Sequence, residues 1–143
     1  MAENGHWPAI FQALRFRRLE VKNRLFRSSI SGRFDNYDGS GTETRMNWDV
    51  KFARGGIGAI ISSNTPVHAR GAIVPNYSHL DSDDRIPFNT ELGERVRDAG
   101  AKYIVQLAFS GRQRDIPSVL YDTGLSSTDK HDPVHGFPCE RMT

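Results

Sequence analysis

The stretch Arg54-Gly-Gly-Ile-Gly-Ala-Ile-Ile-Ser-Ser63 decides the fold of this chain. Its apolar part is too short for a helix, and the paired glycines before it can end one, so we predict a buried strand, Ile57–Ser62. A similar run, Ala101-Lys-Tyr-Ile-Val-Gln-Leu107, follows after an interval long enough for one helix, and a third candidate strand, Leu25–Ser29, precedes both. Strands that alternate with helices in this way form a parallel sheet, whose strands all end at one edge.

Helices are predicted between these strands. Ser40-Gly-Thr-Glu43 has the spacing of a capping box, which predicts that the first helix begins at Ser40 and ends at the Gly55-Gly56 pair. Pro87 suits the first turn of the second helix, and Gly100 suits its end. The apolar stripes that should face the sheet are Met46, Val50 and Ala53 in the first helix, and Phe88, Leu92 and Val96 in the second.

Two further regions flank the predicted sheet. Between residues 10 and 24, apolar and charged residues alternate, which predicts a short, half-buried β-hairpin with many basic residues. Residues 108–143 hold many glycines and prolines, and we expect a long irregular excursion there. The predicted architecture is therefore α/β, with an N-terminal β-hairpin followed by three strand and helix units.

Composition is that of a soluble globular protein. The chain has 143 residues, of which 37% are hydrophobic and 25% charged, so it can bury a core as one domain. Its net charge of +2 is too small to indicate a nucleic-acid partner, and no apolar run approaches the ~20 residues of a membrane span. The single cysteine, Cys139, fits a reducing compartment, and the N-terminus lacks the pattern of a signal peptide. We therefore expect a cytoplasmic protein with neither a membrane nor a nucleic-acid partner.

No motif indicates a metal or a phosphate site. Asn36-Tyr-Asp-Gly-Ser-Gly41 begins like a calcium loop, but Asn47 stands at the twelfth position, where a bidentate glutamate is expected. The glycines of Gly39-Ser-Gly41 and Gly55-Gly-Ile-Gly58 match neither a dinucleotide fingerprint nor a P-loop. We expect no metal site, and these patterns do not identify a catalytic residue.

Polar residues at the predicted strand ends are the candidates for binding. Gln106 lies inside an apolar run, where an unpaired amide would cost roughly 1 to 3 kcal/mol. Its partners are either neighbouring backbone groups or a heteroaromatic ligand, because one amide matches both a carbonyl and a ring N–H. Ser28, Ser29 and Ser31 stand where the first strand ends, and they suit ligand contacts and turns equally well.

Four segments carry a resemblance to a known family. They are Leu19-Glu-Val-Lys-Asn-Arg-Leu25, Phe52-Ala-Arg-Gly-Gly-Ile-Gly-Ala-Ile-Ile-Ser62, Val105-Gln-Leu-Ala-Phe-Ser-Gly-Arg112, and Leu125-Ser-Ser-Thr with His135-Gly-Phe-Pro. In this order they closely resemble the amino-terminal third of the Old Yellow Enzyme family of FMN-dependent NADH:flavin oxidoreductases and ene-reductases. The resemblance implies a (β/α)8 TIM barrel that binds FMN, of which residues 1–143 would be the amino-terminal portion of one domain.

The resemblance also implies a cofactor site. The residues that match the family's flavin-binding positions are Ser28, Ser29, Ile30, Ser31, Ser63, Asn64 and Gln106. Ser28 to Ser31, which match the family's first-strand segment, would lie against the isoalloxazine ring, with Ser31 at its O4 and N5 edge. Ser63 and Asn64 would stand beside the ring, and Gln106 would bind its pyrimidine part.

In this family NADH or NADPH passes hydride through the flavin to an activated alkene or a similar acceptor, so a small-molecule substrate is implied. Ser29 stands where many members have proline, and Phe109 where many have histidine, which leaves the acceptor open. Because the family's catalytic groups come from later strands, we expect the chain alone to be inactive, to hold FMN weakly, and to self-associate through open strand edges. The alternative is a non-enzymatic α/β module whose basic hairpin binds a polyanionic or protein partner.

Overall fold

The computed structural model describes residues 8–113 and 121–143. The elements are α1 (Pro8–Phe11), β1 (Leu14–Phe16), β2 (Leu19–Val21), β3 (Phe26–Arg27), α2 (Glu43–Arg54), β4 (Ala59–Pro66), α3 (Ile86–Asp98), β5 (Lys102–Ala108), β6 (Gly124–Ser126) and β7 (Cys139–Arg141). Short 3₁₀ turns lie at Ala69–Gly71 and Asp83–Arg85. The helix α1 has no counterpart in the sequence predictions, because four residues are too few to show a periodicity.

A parallel sheet in the order β3-β4-β5 forms the centre of the structure, as the alternation of strands and helices predicted. Phe26 lies opposite Ala59, and Ala59 lies opposite Lys102. The strand boundaries differ from the prediction, since β3 is shorter than Leu25–Ser29 and β4 continues four residues beyond Ser62. The longer β4 is the more important difference, because it brings two of the predicted site residues inside a strand.

One face of this sheet is covered by α2 and α3. The residues buried there are Met46, Val50, Ala53, Ile60, Leu92, Val96 and Ala101. Both predicted apolar stripes are confirmed, with Phe88 packed against the cluster in a partly buried position. The helices therefore cover one face of the sheet and leave its opposite face uncovered.

The helix boundaries follow local capping chemistry. Helix α2 begins at Glu43 because the hydroxyl of Thr42 accepts the backbone N–H of Arg45 at 3.2 Å. The prediction that Ser40 caps this helix is wrong, because the Ser40 hydroxyl donates instead to Asp38 at 2.6 Å within the preceding loop. Helix α3 ends at Asp98, and Gly100 adopts a positive φ of 88°, as predicted for a glycine just after a helix.

The predicted hairpin is confirmed, with β1 and β2 antiparallel. The ring of Phe16 meets the ring of Phe26 edge to face, with 6.3 Å between the centroids. Because Phe26 precedes Arg27, whose guanidinium lies over the Phe52 ring of α2, Phe26 must point to the opposite face of the sheet. The hairpin therefore contacts the side of the sheet that the helices leave open, near the start of the strands.

The described residues after β5 contain more regular structure than predicted. They contain β6 and β7, which pair in parallel with Gly124 opposite Cys139. Arg70, in the turn that follows β4, joins this pair to the main sheet through an ion pair with Glu140 at 3.0 Å. Within residues 8–113 and 121–143, none of the helices has the length and apolar character needed to cross a bilayer.

Candidate functional site

The carboxyl ends of β3, β4 and β5 bring most of the predicted site residues to one edge of the sheet. Ser28 follows β3 directly, and Asn64 and Gln106 lie opposite each other in the ladder between β4 and β5. Residues paired across a parallel ladder present their side chains on the same face. The amides of Asn64 and Gln106 therefore stand next to each other.

An irregularity in β4 produces this pairing. Ile61 lies opposite Ile104 and Asn64 opposite Gln106, so three steps along β4 match two steps along β5. The extra residue is a β-bulge, which changes the face to which the following side chains point. Asn64 consequently shares a face with Ile61 and Ile104, whereas Ile60 belongs to the core beneath the helices. The amide pair lies on the face opposite α2 and α3.

The two amides are open to a ligand. Gln106 is exposed and Asn64 half-buried, and neither side-chain amide forms a hydrogen bond with any residue that the structure describes. The expectation that Gln106 needs partners because it is buried is thus wrong, since nothing described covers this face of β5. Each amide offers N–H donors and a carbonyl acceptor. The pair can match a planar heteroaromatic edge that alternates carbonyls and ring N–H groups.

Ser63 is placed differently from the other predicted residues. It is only 1% exposed, and its hydroxyl accepts a hydrogen bond from Nη1 of Arg45 at 2.7 Å. Arg45 belongs to α2, so the Ser63 side chain points towards the helices and away from the amide pair. Only the backbone of Ser63 lies beside Asn64.

The segment after β3 is exposed but tethered. Ser28, Ser29 and Ile30 are exposed, and the hydroxyl of half-buried Ser31 accepts the backbone N–H of Arg33 at 2.9 Å. The Ile30 carbonyl accepts a hydrogen bond from the guanidinium of Arg27 at 2.8 Å. That guanidinium is itself held at 3.4 Å from Asp49 and 4.4 Å from the centroid of the Phe52 ring. Arg27 therefore fixes the backbone that leaves the first strand.

A buried charge network underlies this edge, and the sequence reasoning missed it. Arg45 is its centre, with Nε 2.8 Å from Asp49 and Nη1 3.1 Å from Asp35. Its Nη2 lies 3.2 Å from the hydroxyl of Tyr103 on β5. The network therefore joins α2, β5, the loop before α2 and, through Ser63, β4. A signal was present, because Arg45 and Asp49 are four residues apart and border the apolar stripe of α2.

Burial and charge shift the protonation of this network in definite directions. Burial raises the pKa of the Asp35 carboxyl, against the opposing attraction of Arg45. Burial also raises the pKa of the Tyr103 hydroxyl, which stays protonated. For Arg45, burial opposes the charged form, but the carboxylates of Asp49 and Asp35 raise the pKa of its guanidinium further above the ordinary value, and the neutral Tyr103 hydroxyl accepts a hydrogen bond from it. Arg45 is permanently cationic and therefore a structural anchor.

A recess opens beside the amide pair. It has a volume of about 210 Å³, and Asn64, Ile73, Tyr77 and Phe109 contribute to its lining. The Phe109 ring packs on Gly71, where a Cβ atom would lie 2.6 Å from the ring. A larger groove of about 540 Å³ runs along α3 and β5, and it lacks every residue of the predicted cofactor site. The smaller recess is thus the one that adjoins the candidate site.

The profile of the NADH:flavin oxidoreductase / NADH oxidase family matches residues 9–135 of the chain. The chain is 34% identical over 109 residues to an NADH oxidase of Thermoanaerobacter brockii, covering 76% of this chain and 17% of that protein. It is 30% identical over 122 residues to an NADPH dehydrogenase of Halalkalibacterium halodurans, covering 85% of this chain and 36% of that protein. The chain thus spans a minor part of the length of these relatives.

The fold is also similar to a solved structure. An old yellow enzyme homologue from Zymomonas mobilis superimposes with a TM-score of 0.77 at 20% sequence identity. The matched region covers 95% of this chain and 40% of that protein. At this identity the similarity concerns the fold, and it extends over nearly all of the chain.

Proposed function

This chain belongs to the NADH:flavin oxidoreductase / NADH oxidase family, and we propose that it supplies the first three strand and helix units of an FMN-binding (β/α)8 barrel. The three parallel strands, the two helices on one face and the hairpin against the other support this proposal. Residues 1–143 would then be the amino-terminal portion of a single barrel domain. The carboxyl ends of the strands, where such barrels carry their active sites, hold the candidate residues.

The proposed activity is transfer of hydride from NADH or NADPH to an activated alkene or a similar small acceptor. FMN, when bound, would supply the chemistry by taking up the hydride and passing it on. The protein groups described here would bind the flavin and orient it. The residues of this edge support the binding of a flavin. They do not support a step of the hydride transfer itself.

The single observation that carries this proposal is the pair of accessible amides, Asn64 and Gln106, on the face opposite the helices. The Gln106 amide would donate to a pyrimidine carbonyl and accept from the ring N–H. Asn64 would stand beside the ring, and Ser63 would contribute its backbone, because its hydroxyl is engaged by Arg45. The residues fit a flavin in this respect, since flavin binding would break no hydrogen bond between these two side-chain amides and a described residue.

The segment Ser28–Ser31 would form the second wall of the site. Its backbone would lie against the flavin ring, with the Ser31 hydroxyl at the edge that takes up hydride. The tether between Arg27 and the Ile30 carbonyl supports this role, because it holds the segment without a proline at position 29. Preorganised backbone of this kind lowers the entropy lost on binding.

An FMN titration of the chain, followed by quenching of flavin fluorescence, tests the proposal. Gln106→Ala should weaken FMN binding about fivefold, because a ligand hydrogen bond to an accessible amide contributes roughly 1 kcal/mol. Gln12→Ala is the matched control, since Gln12 is exposed and lies outside the sheet. Equal affinities for the two variants, or no quenching with the unchanged chain at millimolar FMN, would contradict the proposed site.

The alternative function, a basic hairpin that binds a polyanion, is less well supported. Arg15 is already paired with Glu20 at 2.6 Å, so part of the positive charge of the hairpin is neutralised. Binding to a polyanion would be recognised by a steep loss of affinity with salt. Salt-sensitive binding of heparin together with no response to FMN would favour this alternative.

A further inference from the structure

The bulge in β4 leaves backbone groups that the regular ladder would have paired. Between the Ile61–Ile104 and Asn64–Gln106 pairs, β4 contains both Ser62 and Ser63, whereas β5 contains only Val105. Unpaired backbone groups in a buried position are unfavourable, and native proteins almost always satisfy them. Ser62 and Ser63 are each 1% exposed, so these backbone groups need partners within the protein.

The hydroxyl of Ser62 takes the place of the missing ladder contact. It accepts the backbone N–H of Gln106 at 2.8 Å and donates to the carbonyl of Ser63 at 2.7 Å. Thr65 adds a weaker hydrogen bond to the same carbonyl at 3.2 Å. One side chain thus connects β5 to the bulged part of β4, at the residue whose amide points into the candidate site.

We propose that Ser62 is a positioning residue for the cofactor site. Its hydroxyl holds the Gln106 backbone at the height of Asn64, so that the two amides stand together on the open face. Ser62 does not itself point at a ligand and acts through Gln106. The part of this inference that concerns the cofactor rests on the proposed function, whereas the part that concerns the backbone does not.

A purely structural serine would behave differently. If Ser62 only filled space, Ser62→Ala would change the global stability slightly and would affect all core amides to the same degree. If its hydroxyl positions Gln106, the loss concentrates at the Gln106 amide, whose acceptor disappears. The ratio of exchange rates at Gln106 and at a core residue therefore separates the two roles.

Amide hydrogen exchange of the 143-residue chain, read by nitrogen-15 NMR, is the test. In the unchanged protein the Gln106 amide should be protected, although its side chain is exposed. In Ser62→Ala, exchange at Gln106 should accelerate about tenfold relative to exchange at Val96, a fully buried residue of α3. Ser62→Thr keeps the hydroxyl and should retain most of the protection.

Ser78→Ala is the matched control for this experiment. Ser78 is also buried, at 6% exposure, but its hydroxyl has no hydrogen-bond partner in the described part of the chain. Its replacement should leave the Gln106 to Val96 ratio unchanged within about twofold. An unprotected Gln106 amide in the unchanged protein would overturn the proposal without any variant, and so would an unchanged ratio in Ser62→Ala.

An FMN titration of the same proteins tests the link to the site. Ser62→Ala should weaken FMN binding about tenfold relative to Ser78→Ala, and Ser62→Thr should restore it. If no protein binds FMN while the exchange ratio changes as stated, the proposed function fails and the backbone role of Ser62 stands. If FMN binds equally to all variants, Ser62 does not position the cofactor site.

Discussion

Replacement of Asp49 by asparagine is the change to which the fold should respond most strongly. The Asp49 side chain is fully buried and accepts hydrogen bonds from Nε of Arg45 at 2.8 Å and from Arg27 at 3.4 Å. Together with Asp35, these four residues bring two buried positive and two buried negative charges together. Asp49→Asn keeps the shape of the side chain but leaves one positive charge without a counterion.

The magnitude follows from the burial of the pair. Breaking a buried ion pair by removing one partner costs about 3 to 5 kcal/mol. A domain of this size has a free energy of unfolding of about 5 to 15 kcal/mol, so the loss is a large share of the total. With a urea m-value of about 2 kcal/mol/M, the unfolding midpoint should fall by about 1.5 to 2.5 M.

Urea unfolding at pH 7, followed by circular dichroism at 222 nm, measures this effect. Glu94→Gln is the control, because Glu94 is exposed and 3.8 Å from its partner Arg97, and it should change stability by less than about 0.5 kcal/mol. Asp35→Asn should cost less than Asp49→Asn, since burial already raises the pKa of Asp35 and disfavours its charged form. A loss below about 1 kcal/mol for Asp49→Asn, or the reverse order of the two variants, would refute this account of the network.

Three further changes test other parts of the structure. Thr42→Ala removes the N-cap of α2 and should lower the free energy of unfolding by about 1 kcal/mol in the same urea assay; no change would mean that another group caps the helix. Arg27→Met removes the donor to the Ile30 carbonyl, and amide exchange in the segment after β3 should accelerate about tenfold, whereas unchanged protection would show that the tether is dispensable. Burial disfavours the charged form of Asp132, but the backbone and imidazole N–H groups of His135, 3.1 and 2.7 Å from the Asp132 carboxylate, help to hold the pKa of Asp132 below the ordinary value. The contribution of the Asp132 carboxylate to stability is therefore present above its unfolded-state pKa and lost as the pH falls through its folded-state pKa. The difference in melting temperature between the unchanged protein and Asp132→Asn should shrink on acidification. A constant difference would contradict this assignment.

The sequence predicted the parallel sheet because its signals are strong and local. Ile57–Ile61 and the run that ends at Leu107 are apolar, short and preceded by glycines, and two helices of ordinary length lie around them. The family resemblance rested in part on these segments, and the family assignment is confirmed by the profile match. The cofactor residues themselves remain a prediction, for which the pairing of Asn64 with Gln106 is the main structural support.

What the sequence did not predict depends on choices between nearly equivalent groups. Ser40 and Thr42 are both good N-cap residues, and only the competing bond from Ser40 to Asp38 decides between them. Arg45 and Asp49 have the spacing of an exposed helix pair, and their burial depends on the loop and strands that pack over them. Strands of three residues, such as β6 and β7, are too short to show any periodicity.

The extra residue in β4 also changes how this strand should be read and engineered. Up to Ile61, odd and even positions report the face of a side chain, but beyond Ser63 the parity is reversed. A deletion of one serine would remove the extra residue and restore a regular ladder, with Asn64 still opposite Gln106 on the open face. It would nevertheless cost one of two contacts, because a single serine cannot both accept the Gln106 N–H, as Ser62 does, and accept from Arg45, as Ser63 does. A gap of one residue at this point in an alignment therefore marks a regular strand in place of a bulged one.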